Sequence, residues 1–345
     1  MPCTNAPMKK LLAACMVAGF GIMPLQGWAE TQIKFGFEMF KGDNPEYNAV
    51  SRFKEYVESK SNGEISVRLF PGGQLGTARE MTEMVQQGSL EMSLPSDGAF
   101  AGFYEPIQAW SIPYLFRSAP VAWQVMQSDF GRGMLDDITR KTGMEALAFS
   151  ENGFRSFATT GKQIIEPSDM EGLKIRTMES PVYMEMVKAL GASPTPISGA
   201  EAVMALKQGV VDGLESPPAV HYTGGAGDVV DYFTLNEHVL GLHIVIANGD
   251  WFNSLSASQQ QIVTDGSKLL AATENVQKTE GDWKYSKLLE EEKGVEVHVS
   301  TPEEKELFKE KTQDPVRKYI VSQVGEEFVN EIMKAVDEAE QSMYN

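Results

Sequence analysis

The sequence predicts an α/β fold made of two lobes, and three observations support this prediction. Segments typical of strands and helices alternate through most of the chain. The stretch MVQQGSLEMSLP at 84–95 is echoed by ALKQGVVDGLES at 205–216, with one copy in each half. Helical sequence runs from 257 to about 292, and an unbroken helix of that length would measure ~54 Å, more than one small domain. The alternation favours mainly parallel strands, and the echo favours lobes of similar design.

The N-terminal elements follow a strand–helix–strand–helix order. Residues 33–37 have the composition of a strand, and Asn44-Pro45 opens a helix whose apolar residues recur every three or four positions until Gly63. Residues 65–69 alternate apolar and polar side chains, which indicates a second strand, and a helix is expected over 77–88.

Each copy of the internal echo predicts a helix that ends in Gln-Gly, then a short strand and a corner containing proline. In open α/β sheets, ligands bind beyond the carboxyl ends of the strands. We therefore expect a binding site near Ser96, Asp97 and Ser216, which follow or end the two short strands.

The C-terminal third is predicted to be mostly helical. Ser256 and Gln259 form a capping box at the start of the long helix, in which Gly266 and Gly281 are the expected points of bending. A strand over 295–299 and two further helices complete the chain.

The first 29 residues are typical of a secretory signal. Lys9 and Lys10 precede an apolar run over 11–25, and small residues flank Trp28 before the expected cleavage after Ala29. We therefore expect export to the periplasm. Cys3 and Cys15 both lie in this segment, so the mature protein would contain neither a disulfide nor a thiolate metal site.

The net charge of −18 argues against nucleic acid as a partner, because counterion release requires a basic surface. It also opposes the approach of an anion, so an anionic ligand would have to be held by buried donors at short range. The four histidines form no HExxH motif, and no Walker A or dinucleotide-binding loop is present. We expect neither a metal nor a cofactor.

An enzymatic alternative comes from three short motifs. Ser51 and Lys54 match SxxK, Ser96-Asp97-Gly98 approaches SDN, and Lys141-Thr142-Gly143 matches KTG, in the order found in penicillin-recognising serine enzymes. The alternative is a secreted serine hydrolase that uses Ser51 and Lys54. Against it, Lys141-Thr142-Gly143 ends a predicted helix, whereas that chemistry requires the triplet on a strand edge.

Two arginines follow or end predicted strands. Arg155 comes after the apolar strand 146–149, and Arg176 closes the strand in 172–176. The planar guanidinium group of arginine can hold a carboxylate through two parallel hydrogen bonds. Two such groups converging in a closing cleft would hold an organic acid despite the acidic surface.

These arginines belong to motifs that resemble a known family, the periplasmic solute receptors of tripartite ATP-independent periplasmic (TRAP) transporters, of the DctP type. The resemblance covers nearly all of 33–300. The motifs are FPGGQLG (70–76), IPYLF (112–116), NGFR (152–155), GLKIR (172–176), GASPTP (191–196) and VDGLESP (211–217).

The resemblance implies a two-lobed fold like that of other periplasmic binding proteins, with hinge strands crossing near Asn152 and Gly241 and a long helix spanning both lobes. Lobe I is expected to comprise 30–152 plus 242–282, after a signal peptide at 1–29. Lobe II is expected to comprise 153–241 plus 283–345, including the C-terminal helices. A monomer without enzymatic activity is expected.

The resemblance also implies residue roles. Arg176 would grip the ligand carboxylate, Arg155 would be a second anion-holding group, and Ser216 stands where the family usually has an asparagine that bonds the same carboxylate. Ser96 and Asp97 fall where lobe I usually contacts the ligand. The usual aromatic wall is replaced by Ile197-Ser198-Gly199-Ala200.

Glu38 and His243 are further candidates for ligand contact. Acidic groups in the pocket would suit a ligand that carries hydroxyl or amino groups besides its carboxylate. The expected ligand is therefore a hydroxy acid or a sugar acid, with C4-dicarboxylates and aromatic acids as alternatives. By resemblance, the receptor would deliver it to the small and large membrane subunits of a TRAP transporter driven by an ion gradient.

Overall fold

The computed structural model describes residues 31–344, so the predicted signal peptide and its cleavage site lie outside the described part of the chain. The described residues form nine strands. Their bounds are β1 Thr31–Gly36, β2 Ile65–Phe70, β3 Met92–Ser93, β4 Met144–Thr159, β5 Lys174–Thr177, β6 Ser193–Pro196, β7 Gly213–Ser216, β8 Tyr232–Asn248 and β9 Glu296–Val299.

Twelve α-helices lie between residues 31 and 344, and no helix in this range is both long and apolar enough to cross a membrane. Their bounds are α1 Pro45–Lys60, α2 Ala78–Gln86, α3 Asp97–Phe100, α4 Ala119–Gln127, α5 Asp129–Thr142, α6 Pro181–Ala189, α7 Gly199–Lys207, α8 Pro218–Thr223, α9 Gly249–Ser254, α10 Ala257–Lys293, α11 Pro302–Val324 and α12 Glu326–Tyr344.

The strands form one continuous sheet in the order β2-β1-β3-β8-β4-β7-β5-β6, with β9 also paired to β8. Strands β1, β2 and β3 pair in parallel and belong to lobe I, while β5, β6 and β7 pair in parallel and belong to lobe II. Pairing is antiparallel where β3 meets β8, where β8 meets β4 and where β4 meets β7. The predicted two-lobed α/β fold with mainly parallel pairing within each lobe is confirmed.

The two copies of the internal echo take equivalent structures. Gly88 and Gly209 adopt the left-handed conformation after α2 and α7, with φ of 79° and 67°. Each is followed by a short strand that pairs antiparallel with one of the long strands, β3 with β8 and β7 with β4. The carboxyl ends of β3 and β7 therefore occupy corresponding positions in the two lobes.

The long strands β4 and β8 cross between the lobes at the place where the sequence predicts the hinge. Their register shifts between Glu151 and Gly153, and Gly153 lies opposite Gly241. Gly153 has a φ of 109°, and a Cβ there would lie 3.0 Å from the Pro217 side chain. The crossing point thus requires glycine, because neither the backbone conformation nor the available space suits another residue.

Helix α10 is a single helix of 37 residues and contacts α1 in lobe I, α8 in lobe II and the crossing strand β4. Its capping box at Ser256 and Gln259 is present, as the sequence predicts. A Cβ on Gly266 would lie 2.9 Å from Val57 Cγ2, so this glycine allows the close approach of α1. The helix spans both lobes, α11 packs on α6, and α12 packs on α4 and α11.

Candidate ligand-binding cleft

A cavity of about 370 Å³ lies between the two lobes, at the carboxyl ends of the short strands. Six of the seven residues that the sequence singles out line it. Glu38, Ser96 and His243 come from lobe I or from β8, and Arg155, Arg176 and Ser216 come from β4, β5 and β7. Asp97 is absent from the cavity lining. Glu38, Ser96, Arg176 and Ser216 lie at or near the carboxyl ends of short strands, as expected for an open α/β sheet. Arg155 and His243 lie inside the long strands β4 and β8, so the expectation that Arg155 follows the end of a strand is wrong.

Arg176 brings a buried positive charge to this cavity. Its side chain is 5 % exposed, and its Nε donates to the carbonyl oxygen of Ile197 at 2.7 Å. Neither Nη atom hydrogen-bonds to any residue in the range 31–344. Burial lowers the pKa of Arg176 to about 10, although Glu215 acts in the opposite direction. The group remains charged at neutral pH, so its two free amino groups suit an anionic ligand.

Arg155 is held differently, because its guanidinium group is already bound to Glu215. Nε lies 2.5 Å from Glu215 Oε2, and Nη2 donates both to Oε1 at 2.9 Å and to the Glu215 backbone carbonyl at 2.8 Å. The ring of Tyr183 lies 5.1 Å from the guanidinium carbon. Only Nη1 lies outside this bidentate arrangement. The predicted pair of free guanidinium groups is therefore one free group and one neutralised group.

The Arg155–Glu215 pair is fully buried and strongly coupled. Burial is the largest single influence and would lower the pKa of Arg155, but the charge and hydrogen bonds of Glu215, together with Tyr183 and Asp97, raise the pKa overall. Burial would likewise raise the pKa of Glu215, but Arg155 outweighs it and lowers the pKa to about 2. His238 Nε2 lies 3.6 Å from Glu215 Oε2 and adds a second partner. Both groups stay ionised throughout the neutral range.

Asp97 supports this pair from behind the cavity wall. Its carboxylate is 1 % exposed and accepts hydrogen bonds from Ser111 Oγ at 2.7 Å and from Tyr183 Oη at 3.0 Å. These contacts fix the ring of Tyr183 beneath the guanidinium group of Arg155. Asp97 therefore bonds to other side chains and does not line the cavity. Its neighbour Ser96 does line the cavity and donates across the cleft to Met178 Sδ at 3.5 Å.

Beneath His243, the structure shows a buried network of alternating charges. His243 Nδ1 lies 2.9 Å from Glu274 Oε1, and its Nε2 lies 4.0 Å from Glu46 Oε2. Lys278 Nζ lies 4.0 Å from Glu274 Oε1 and donates to Asn152 Oδ1 at 3.2 Å. Burial opposes protonation of His243, but Glu274 outweighs it and raises its pKa.

The sequence did not predict this network, although it contains one signal for it. Glu274 and Lys278 are four residues apart on a helix that packs against β4, where charged residues are seldom buried without partners. Glu46, His243 and Glu274 offer ligand atoms within 4.8 Å of one another, a spacing that a metal ion could use. Lys278 already supplies positive charge there, so the described residues give no reason to assign a metal.

His221 makes the stability of the protein sensitive to acid. It is 1 % exposed, and burial lowers its pKa from 6.5 to about 4. The unfolded chain therefore binds a proton at this site between pH 6.5 and 4, whereas the folded protein does not, so stability falls as the pH falls through this window. We expect His221→Gln to reduce the loss of unfolding free energy between pH 7.5 and 4.5 by about 2 kcal/mol.

Urea unfolding at the two pH values tests this expectation. The matched control is His298→Gln, because His298 is a partly exposed histidine that contacts Glu304. If the His221→Gln and His298→Gln proteins show the same pH dependence as the parent, His221 is not a source of the acid sensitivity.

The residues that a serine hydrolase would have to bring together do not share one site. Ser51 and Lys54 lie on α1 and line a separate surface depression, where Lys54 Nζ donates to the Val67 carbonyl at 2.5 Å. Ser96 lines the interlobe cavity. Lys141 and Thr142 end the helix α5, as the sequence predicts, and do not lie on a strand edge. The structure does not favour this alternative.

Comparison with known proteins identifies the family. The family model for bacterial extracellular solute-binding proteins of family 7, DctP, matches residues 37–323. The chain belongs to this family. The resemblance seen in the sequence motifs is thus confirmed, and this DctP-type receptor has TRAP periplasmic solute-binding proteins among its structural neighbours. Several of its relatives are named as periplasmic binding proteins.

Two curated relatives show the extent of the similarity. A solute-binding protein of Verminephrobacter eiseniae is 34% identical over 236 residues, which cover 68% of this chain and 70% of that protein. The 2,3-diketo-L-gulonate-binding periplasmic protein of Escherichia coli is 26% identical over 333 residues, which cover 96% of this chain and 99% of that protein. Family members are periplasmic binding proteins, in agreement with the predicted export.

Two solved structures share the fold of this DctP-type receptor. The sugar acid binding protein of Advenella mimigardefordensis in complex with galactonate superposes with a TM-score of 0.85 at 29% identity, covering 89% of this chain and 98% of that one. A TRAP periplasmic solute-binding protein of Polaromonas bound to D-erythronate gives a TM-score of 0.83 at 28% identity, covering 88% and 98%. Both of these solved proteins hold a small acid.

Proposed function

We propose that this TRAP receptor binds a hydroxy acid or a sugar acid in the interlobe cavity, with Arg176 as the anchor for the ligand carboxylate. The observation that carries the proposal is the buried guanidinium group of Arg176, whose Nη atoms have no acceptor among residues 31–344. A buried charge without a partner is costly, and an anion that enters the cavity removes that cost. Nη1 of Arg155 and the hydroxyl of Ser216 would complete the contacts to the carboxylate.

The preference for a hydroxylated acid is supported by the rest of the lining. Glu38, Ser96 and His243 provide hydrogen-bonding groups on the lobe I side of the cavity, facing the side that carries Arg176. Ligand hydroxyl groups could donate to the carboxylate and exchange hydrogen bonds with the other two side chains. Similar proteins with galactonate and D-erythronate bound support the same ligand class by analogy.

Function would follow from closure of the lobes about β4 and β8. We propose that 30–152 plus 242–282 move as lobe I and 153–241 plus 283–345 as lobe II, with bending near Asn152 and Gly241. A ligand that contacts both lobes stabilises the closed form by its greater affinity for that form. The closed receptor would then deliver the acid to the small and large membrane subunits, without catalysing a reaction itself.

A thermal-shift experiment tests the proposed ligand class. The receptor, exported with its own leader and purified from the periplasm, is heated with galactonate, D-erythronate, succinate, an aromatic acid or the neutral polyol galactitol. At a ligand concentration 100 times Kd, binding to the native state adds about 2.7 kcal/mol, so a hydroxylated acid should raise Tm by a few degrees. Galactitol, which lacks a carboxylate, should leave Tm unchanged.

An equal shift with galactitol would show that a carboxylate is not required. The absence of a shift with every acid would contradict the proposed ligand class.

A further inference from the structure

The lobe I side of the cavity carries more negative charge than its role as a simple hydrogen-bonding wall requires. Both Glu38 and Glu46 line it. Glu46 is 5 % exposed and belongs to the buried network, in which the positive partners of the two acids Glu46 and Glu274 are His243 and Lys278. Glu38 forms no salt bridge within residues 31–344. It is near enough to Arg176 for its charge to raise the pKa of that guanidinium group.

The carboxylate of Glu38 is held at the junction of the two lobes. Its Oε1 accepts a hydrogen bond from the backbone N–H of Ala78, the first residue of α2 in lobe I, at 3.2 Å. Its Oε2 lies 3.2 Å from the point where a Cβ on Gly199 would stand, at the start of α7 in lobe II. Gly199 therefore leaves room for the carboxylate. Oε2 accepts no hydrogen bond from the described residues and can accept one from a ligand.

A count of the charges around the cavity limits the charge of the ligand. The Arg155–Glu215 pair is neutral, and in the buried network His243 and Lys278 lie among the two acids Glu46 and Glu274. Within the described chain, Arg176 is then the buried lining cation that lacks a salt-bridge partner. Two more cations, Arg79 and Lys207, and a further acid, Glu179, line the cavity at exposed positions, where solvent screens them. One ligand carboxylate satisfies Arg176, and a second would face Glu38.

We propose that the cleft selects monocarboxylates over dicarboxylates of the same length, and that Glu38 is the residue that determines this selectivity. The inference rests on the proposed function, since it assumes that Arg176 holds the first carboxylate. Glu38 accepts a hydrogen bond from a hydroxyl group at the far end of the ligand and repels a carboxylate at the same position. An ionised acceptor forms a stronger hydrogen bond than a neutral one, and like charges placed together reduce affinity.

Two matched pairs of acids test this selectivity by calorimetry at pH 8, where every carboxyl group of the free ligands is ionised. Galactonate is compared with galactarate, and D-erythronate with meso-tartrate, because the members of each pair differ only in a terminal CH₂OH or carboxylate. We expect the parent receptor to prefer the monoacid by at least about tenfold. Glu38→Gln should weaken the binding of the monoacid and strengthen the binding of the diacid. The ratio of the two affinities should therefore fall by about tenfold or more.

Glu55→Gln is the matched control, because it removes one negative charge from an exposed position on α1, where its partner Arg52 does not line the cavity. This variant should keep the ratio of monoacid affinity to diacid affinity that the parent shows. Equal affinity of the parent for both members of a pair, or an unchanged ratio in Glu38→Gln, would overturn the role of Glu38 while leaving the receptor function intact. If none of the four acids binds to the parent receptor, the proposed ligand class is wrong, and the proposed selectivity is wrong as well.

Discussion

Replacing Arg176 with methionine is expected to abolish the binding of every acid that the cleft accepts, while the unliganded protein remains folded and loses no stability. The side chain makes one hydrogen bond, from Nε to the Ile197 carbonyl, and its two Nη atoms have no partner in the described range. Two hydrogen bonds between ionised groups contribute about 1.5–3 kcal/mol each, so the loss of both should weaken binding by at least about 100-fold.

The stability of the unliganded variant follows from the same geometry. The folded protein buries this charge, which lowers the pKa of Arg176, and methionine removes the cost while keeping much of the apolar stem. Thermal melts should therefore give an unliganded Tm equal to or above that of the parent. Calorimetry with the acid that gives the largest Tm shift measures the loss of affinity.

Two further variants sharpen the interpretation. Arg176→Lys keeps the charge but not the planar pair of donors, so its affinity should lie between those of the parent and of Arg176→Met. Arg132→Met removes an exposed arginine, 63% accessible, and controls for the change in net charge. Acid binding by Arg176→Met at the level of Arg132→Met would show that the carboxylate anchor lies elsewhere.

The second large effect is expected at the Arg155–Glu215 pair, and it concerns stability. Arg155→Met leaves Glu215, which is 0% exposed, without its bidentate partner. Breaking a buried ion pair by removing one partner costs about 3–5 kcal/mol, because the remaining charge is uncompensated. The double variant Arg155→Met, Glu215→Met removes both charges, so it should recover most of this loss. Urea unfolding of the parent, both single variants and the double variant measures the coupling.

The pH dependence of Arg155→Met provides an independent readout. In the parent, the pKa of Glu215 is lowered to about 2, so the pair contributes stability above pH 4.5 that is lost as the pH falls towards 2. Without Arg155, burial is the largest influence on Glu215 and favours its protonated form. The variant should therefore be less destabilised at pH 5 than at pH 8. If a single substitution lowers the free energy of unfolding by less than about 1 kcal/mol, the pair is not strongly coupled. The same conclusion follows if the losses of the two single variants sum to the loss of the double variant.

Much of the fold follows from local sequence features. Asn44 before Pro45, and Ser256 with Gln259, start their helices where the sequence predicts, because these side chains satisfy backbone N–H groups that no helix can satisfy internally. Gly88 and Gly209 end helices because they tolerate the left-handed conformation. The antiparallel contacts of β4 and β8 were harder to predict, since pairing direction depends on segments that are distant in the chain.

The sequence by itself indicated which positions line the cleft, because Arg155, Arg176 and Ser216 belong to motifs that resemble one family and all three side chains line the cavity. Only the tertiary structure decided how each group is used. Arg155 is neutralised by Glu215, which lies 60 positions away in the chain, while Arg176 keeps its Nη donors free.

The same distinction applies to the acidic groups. Asp97 turns from the cavity towards Ser111 and Tyr183, although its neighbour Ser96 faces the cavity. The charge state and the accessibility of a side chain depend on burial and on partners from distant segments. A linear pattern of residue types records neither of these, so the electrostatics of the cleft emerges only when the two lobes are assembled.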